Sequence, residues 1–487
     1  DVLGSRGLGD VYKRQTVFIV VSFLNSTDNL IIEHLSERFI NIKNDNGSGR
    51  SETISEALLQ FTNSDVISML FGHGWNMVEQ TLKSGISAHN DFIECLYDFG
   101  IIGFILLLRV LFAAYKYLKS LIANRSIYAA PFAASCTIFM LNTMVSHILI
   151  YPYYLLLFMA FILIYKAKLT KDTSHFFNLT NTTAMRGFWC IIVILVHIPA
   201  VYQNRIQDLM GSFAYIGVTF FFMTSAYGLK VGAKKNPDST KVFWRRRLPK
   251  LLIPMFLVNV LTMVMHLIEC KDISPLDLLS VNMWVVWLLA CYAIYWAVNI
   301  FVDMEGYQDL LICLLIAAGS ITVYCLKDRM TVTTWCPEVF GFIWGILLAD
   351  YREWFVRTIK RKWLLISLVL CLLSGILGLS YLRFKSVLIL GDYLLKIMLG
   401  LAIILFILAL NVSIALGNKV SLFLGRISYE VYLIHGAVFG LMATFMPGIN
   451  SGLFISLSIV ITVALSWVVN LMSRPVIKKV NSLLVSN

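Results

Sequence analysis

Charged side chains are scarce in this sequence. Only 14% of its 487 residues are Asp, Glu, Lys or Arg, while 58% are hydrophobic; a soluble domain carries about 25% charged residues. With a mean hydropathy of +0.77, this shortage excludes an ordinary soluble fold. It implies an all-α, polytopic helical membrane protein embedded in a lipid bilayer. Acidic residues are fewer than basic ones, 28 against 40, which leaves a net charge of +12. Lys and Arg gathered in cytoplasmic loops account for that excess, so no nucleic-acid partner is needed.

Other absences narrow the reading. The nine cysteines are scattered, several of them inside apolar runs (Cys190, Cys291, Cys313, Cys371). With no CxxC and no Cys/His cluster, no metal site is expected. Cys325 and Cys336 flank one expected outer loop, where a disulfide is one reading. There is no signal-peptide pattern. Residues 1–15 end in DVYKRQ, resemble a translated sequencing-adapter scar, and are set aside, with the expectation that the natural chain continues upstream. Internal repeats and low-complexity tracts are also missing. So are the paired half-helices broken by Gly and Pro that would favour a transporter, the rival reading from another class.

What the sequence does have is a succession of apolar runs. Residues 16–24 read as the end of a truncated span. A long polar region, 25–98, holds amphipathic pieces around 31–40 and 52–61, and runs at 100–118, 128–147 and 153–165 follow. A polar segment at 166–183, opening on Lys166, Lys168 and Lys171, marks a cytoplasmic linker and the domain boundary. Beyond it come about ten runs long enough to cross a bilayer, near 186–204, 211–230, 250–268, 281–301, 308–324, 335–350, 363–381, 388–410, 420–445 and 452–472. Alternating spans put the basic segments 230–250, 352–362 and 474–479 on one side, the cytoplasmic one, and the 25–98 loop on the outer side.

One run carries chemistry of its own. Residues 186–197 read RGFWCIIVILVH, with Arg186 and His197 as its polar ends. Eleven helical steps come to about 20° past three full turns, so the two share a stripe. The rise is about 16 Å, roughly half of a ~30 Å hydrocarbon core. That spacing expects Arg186 at the cytoplasmic face and His197 near the midplane, a depth at which ionisable residues are costly and mark functional sites. The plainer alternative is a neutral His bonded to a neighbouring helix.

Two sets of motifs resemble known families. In the first part, GSGRSETISEALLQF, FGHGWN and SAHNDFIECLYDFGIIGFILLL contain Arg50, Gly72 and Gly74, His89–Asn90, Gly100 and Gly103. Their order resembles the O-antigen ligase and polymerase superfamily. The resemblance implies that residues 16–165 are the C-terminal fragment of an enzyme moving glycan from an undecaprenyl-linked carrier. It assigns Arg50 to pyrophosphate or sugar contacts, and His89 to activating the acceptor hydroxyl or stabilising the leaving group. About four spans, the first truncated, would survive from it.

From 184 to 480 the chain reads MRGFWCIIVILVH, YIGVTFFFMTSAYGL, FWRRRLPKLLIP, WVVWLLACY, FGFIWGILLA and LGRISYEVYLIH, in that order. Together these resemble the integral-membrane acyltransferase family 3, whose members O-acylate bacterial surface polysaccharides and peptidoglycan. Two positions depart from the family pattern: Ser225–Ala226 stands for its usual SG, and Arg247…Lys250 for its RxxR. The resemblance implies an O-acetyltransferase of the bacterial cytoplasmic membrane. It would use acetyl-CoA or another acyl-CoA and act on a surface polysaccharide or undecaprenyl-linked glycan.

The residues fit such chemistry. Arg186, Arg246, Arg247 and Lys250 offer cations for CoA phosphates at the cytoplasmic face, although topology alone accounts for Arg245 and part of the cluster. His197 is positioned to deprotonate a sugar hydroxyl or to carry the acyl group itself. Ser428, Tyr432 and His435 stand at i, i+4 and i+7, one helix face, with a plain interhelical hydrogen-bonding stripe as the alternative for the first two. Glu338 is a candidate for contacting acceptor hydroxyls. Trp284 and Trp287 read as interfacial anchors or core, Phe220–Phe222 as packing, and His34, His147, His175 and His266 as structural. The remaining alternative is that glycan transfer by the first part is the main activity.

Overall fold

The structure is a computed structural model that describes residues 50–145, 173–199, 211–236, 240–302, 307–326, 335–449 and 451–485. The expected adapter segment, the truncated first span, the run at 153–165, most of the linker, His34 and His147 lie outside the described residues. The described chain is helical, without strands. It divides into two compact units, Asp1–Phe161 and Ile162–Asn487. Among the described residues nine helices are long and apolar enough to cross a bilayer, and a bent pair forms a tenth if counted as one span. The protein is a polytopic helical membrane protein.

The first unit contains α1 (Arg50–Thr62), α2 (Val66–Phe71), α3 (Met77–Thr81), α4 (Asp91–Ala123) and α5 (Ala129–Val145). Asp65 caps α2 by accepting from Ile67 N and Ser68 N, and Asn90 caps α4 through Phe92 N and Ile93 N. The glycine motifs have a packing cause. α4 breaks at Gly100, which adopts φ 68°. The turn carrying Gly72, at φ 80°, seats on that break, and a Cβ on either glycine would collide with the other segment's backbone. Gly74 N donates to Asp98 O at 2.9 Å. The Asp98 carboxylate gathers the N–H groups of Asn76, Met77 and Val78.

The second unit contains α6 (Leu179–Val196), α7 (Tyr215–Lys235), α8 (Phe243–Ile268), α9 (Met283–Phe301), α10 (Tyr307–Leu326), α11 (Phe340–Lys360), α12 (Trp363–Phe384), α13 (Lys396–Ser413), α14 (Lys419–Arg426), α15 (Ser428–Phe445) and α16 (Ser451–Val485). Its core is aromatic and aliphatic: Phe220, Phe222, Phe342 and Tyr295 are almost fully buried. The span expected at 420–445 is broken, with α14 and α15 meeting at 75°. The break lets α14 cross α6 at backbone contact. Gly187 of α6 faces Ser421 O and Gly425 of α14 faces Thr183 O, each with no room for a Cβ. Gly341 and Gly345 of α11 approach the α7 backbone in the same way, as close-packed membrane helices do with small residues. Two lysines of α7 are ion-paired: Lys230 Nζ meets Asp309 at 2.5 Å and Lys234 Nζ meets Asp350 at 2.8 Å.

Cys325 and Cys336 are not joined by a disulfide; Cys325 is exposed at the end of α10, whereas Cys336 is buried.

The crossing of α6 and α14 yields a direct test. Gly425→Ala forces a methyl into the Thr183 carbonyl, an overpacking cost of about 1–3 kcal/mol or more. The thermal unfolding midpoint of the detergent-solubilised protein falls, while Gly436→Ala, where a Cβ meets nothing within 4 Å, leaves it near that of the unsubstituted chain. Equal midpoints for the two variants would contradict the close crossing.

Candidate active site

A cavity of about 940 Å³ opens inside the second unit, lined from the segment before α6 and from α6, α7, α8, α9, α11, α14, α15 and α16. Its lining is strongly cationic. Arg186, Lys235, Arg247, Lys250, Arg352, Arg426 and Arg474 border it, against one carboxylate, Glu430. That carboxylate already accepts from Asn470 Nδ2 at 2.7 Å. Arg186 Nη2 donates to Thr183 Oγ1 at 3.2 Å, while its Nε is buried without a hydrogen-bond partner. Arg352 leans on the Phe176 ring and donates to Phe176 O. Among the described residues no ion pair neutralises Arg186, Arg247 or Lys250, so the cavity carries a net positive field suited to an anion with several phosphates.

Helix geometry decides which basic residues take part. The RRRLPK sequence, expected in a loop, forms the opening turns of α8. Arg247 and Lys250, at i and i+3, share the face that lines the cavity. Arg246 is exposed and borders no described cavity, because one residue turns the face by about 100°. Deeper in, Phe221, Trp284, Leu288 and Tyr292 make the wall apolar. Trp284 is buried with its Nε1 unpaired, so it lines the cavity rather than anchoring at an interface. Tyr432 backs this wall, its ring 4.4 Å from that of Phe221 and 5.8 Å from that of Trp284. Its hydroxyl is buried without a hydrogen-bond partner, and its ring packs behind the cavity wall.

The structure brings His197 and His435 together, with ring centroids 4.7 Å apart at 63°. Each ring places Nδ1 on the backbone carbonyl four residues earlier: Val193 O at 2.8 Å for His197 and Val431 O at 3.0 Å for His435. A carbonyl only accepts, so Nδ1 of each neutral ring carries the proton and Nε2 presents a lone pair. The position of His197 differs from expectation. α6 starts at Leu179, capped by Asn178, seven residues ahead of Arg186. Arg186 therefore lies inside the helix rather than at its end. His197 is the residue that closes α6, where Pro199 follows two residues later.

Other expected residues fall elsewhere. Glu338, the candidate for contacting acceptor hydroxyls, is buried with Lys396 Nζ 3.7 Å away. Ser428 Oγ donates to Gly425 O at 2.9 Å. Ser428 also borders a smaller cavity of about 380 Å³ with Arg186, Arg426 and Arg474, but its hydroxyl is occupied in stabilising the bend. His175 Nε2 bonds Asn411 O at 2.7 Å, a structural contact. His266, expected to be structural, borders a polar cavity of about 320 Å³. In the first unit, Arg50 is exposed as the first residue of α1. His89 has a left-handed backbone at φ 49°, and its N–H lies 3.2 Å from both Ser87 Oγ and Glu94 Oε1. His73 was not singled out from sequence; it stacks on Tyr97 at 4.2 Å and bonds Ser64 Oγ at 2.8 Å.

Sequence reasoning missed four cavity cations, Lys235, Arg352, Arg426 and Arg474. Three of them, Lys235, Arg352 and Arg474, lie in segments that the distribution of positive charge had already explained as topology. The available signal was their side: cations needed at a cytoplasmic donor site and cations expected from topology occupy the same segments.

Among known proteins, the family model of the acyltransferase domain matches residues 179–471. No curated protein matches the chain, and no solved structure does. The matched segment starts with α6 and runs into α16, and so carries both histidines and every cation of the cavity except Arg474. More than half of the chain is covered, and the protein belongs to the acyltransferase family 3, the membrane acyltransferases defined by that domain.

Proposed function

We propose that the second unit transfers an acyl group, with acetyl as the simplest case, from cytosolic acyl-CoA to a hydroxyl of a surface polysaccharide or undecaprenyl-linked glycan. Its setting would be a bacterial cytoplasmic membrane. The observation carrying this reading is the un-neutralised cation set around an apolar-walled cavity. CoA has the matching polarity: phosphates at one end for Arg247, Lys250 and Arg186, and a pantetheine arm and thioester that tolerate the wall of Phe221, Trp284 and Leu288. The positive-inside rule puts those cations on the cytoplasmic side, where CoA is found. The first unit's resemblance to glycan ligases and polymerases supports a sugar acceptor, with Arg50 and His89 contacting the same class of glycan.

In the chemical step, the Nε2 lone pair of His197 takes the proton of the attacking hydroxyl. The hydroxyl oxygen forms a bond to the thioester carbonyl, the carbon–sulfur bond breaks, and the CoA thiolate recovers the proton from the imidazolium. In the two-step alternative, Nε2 attacks the thioester and expels the CoA thiolate, and the acyl-imidazolium then passes its acyl group to the hydroxyl oxygen, whose proton goes to the thiolate. In both, the Nδ1–H bond to Val193 O holds the ring in the required tautomer, and His435 stands against it as a second ring of the same tautomer.

Two outcomes follow. A combined Arg247→Ala, Lys250→Ala change raises the apparent KM for acetyl-CoA at least about tenfold, as expected for lost charge-assisted hydrogen bonds, while Arg246→Ala leaves it unchanged. Steady-state CoA release from membranes reads both, and equal effects at Arg246 and Arg247 would reduce the cluster to a topology signal. His197→Ala lowers acyl transfer about 10²–10⁴-fold with CoA affinity retained; unaltered acetylation of the glycan in that variant would remove His197 from the reaction.

A further inference from the structure

α8 begins at the cationic cavity and ends at Glu269. The 22 residues from Arg247 to Glu269 rise about 33 Å, the depth of a hydrocarbon core. A second cavity, of about 320 Å³, opens at this far end between α8, α15 and the segment leading into α9. By the charge argument it lies on the outer side.

Its walls are polar on one side and small on the other. Asn259, Thr262, His266 and Asn282 supply the polar groups, and Gly436 and Gly440 of α15 form a floor without side chains. The Glu269 side chain is 1% exposed. Lys271 Nζ forms an ion pair with its Oε2 at 2.5 Å, while Oε1, the oxygen nearer Gly440, has no hydrogen-bond donor. A buried carboxylate oxygen left without a donor is costly unless a ligand supplies one. Gly440 keeps the approach open: a Cβ there would sit 3.2 Å from Glu269 Oε1. Neutral molecules dense in hydroxyls fit this chemistry. Their O–H groups donate to the carboxylate, and the C–H face of a pyranose lies flat over glycine.

The two cavities are also in line. Pro254 borders the first and Met255 the second; Tyr429 borders the first and Leu433, one turn on, the second. Tyr429 closes the seam between them by donating to Leu251 O at 2.8 Å. Along α15, His435 falls between Tyr429 and Gly440, turned about 100° from Gly436 and about 140° from Gly440. A polymeric acceptor can fill more than one subsite, with one sugar unit held while another reaches the histidine pair.

We infer that the cavity bounded by Glu269, Asn259 and His266 on α8 and by Gly436 and Gly440 on α15 is the outer subsite that binds a sugar unit of the glycan acceptor through the Glu269 carboxylate. The inference rests on the acyltransferase reading above, and the experiment separates the two. The full chain in nanodiscs is mixed with a panel of neutral and N-acetylated oligosaccharides released from bacterial surface glycans, and binding is read by saturation-transfer NMR, with CoA titrated in the same samples. The expected result is sugar binding that weakens at least about tenfold in Glu269→Gln and in Gly440→Ala, while CoA still binds both variants, which also shows that they are folded. Arg247→Ala shows the reverse pattern. No sugar binding, or sugar binding unaltered in Glu269→Gln and Gly440→Ala, overturns the outer subsite. Sugar binding that depends on Glu269, in a chain that does not bind CoA, upholds the subsite and overturns the donor reading instead.

Discussion

A membrane-spanning bundle that leaves cations unpaired must gain something from them. Inserting one charged residue at the middle of a helix costs about 2.5–3.5 kcal/mol, and this bundle pairs such residues elsewhere. Lys230 and Lys234 meet Asp309 and Asp350, and Lys396 lies near Glu338. Around the main cavity the rule lapses: Arg186, Arg247 and Lys250 converge with only Glu430 among them, and that carboxylate is engaged by Asn470. The surrounding structure serves this arrangement. Glycines at the α6–α14 crossing bring Arg186 and Arg426 to one cavity, the first turns of α8 aim Arg247 and Lys250 inward, and the long α16 contributes Arg474. An anionic ligand completes the electrostatics that the fold leaves open.

The chemistry is arranged by depth. Cations lie at one end of α8 and a buried carboxylate at the other, with the paired imidazoles between them along α15. Both rings donate Nδ1–H to their own helix, so neither needs a third residue to set its tautomer. A donor entering from the cationic end and an acceptor entering from the carboxylate end would meet near the histidines without either crossing the bilayer.

Much of the fold was legible because hydropathy alone dictates it: long apolar runs can only be helices in a bilayer. The ends of those helices were less legible. Asn178 starts α6 well before the apolar run does, so Arg186 lies inside the helix rather than at its end, and His197 is the closing residue. Arg246 and Arg247 look equivalent in RRRLPK until the helix separates them by a third of a turn. Glu338 reads as a lone acid in sequence, and its neighbour Lys396 lies nearly sixty positions away, beyond the reach of any local pattern. The Gly72 and Gly100 motif was read through a family resemblance; its packing reason, one backbone seated on the break in another, needs coordinates. Glu269 drew no notice because a single acid after an apolar run is ordinary, and only the cavity around it makes it otherwise.

A donor site at one face and a sugar subsite at the other make sidedness the property to measure. Sealed membrane vesicles of both orientations, containing the full chain and its glycan acceptor, are given radiolabelled acetyl-CoA on their outer surface only, and label is followed into the glycan. Vesicles whose exposed face is the cytoplasmic one, carrying Arg247, should place label on glycan inside the lumen, while vesicles of the opposite orientation should transfer none. Labelling that requires acetyl-CoA on the Glu269 side, or that appears only on sugars sharing the CoA compartment, would contradict it.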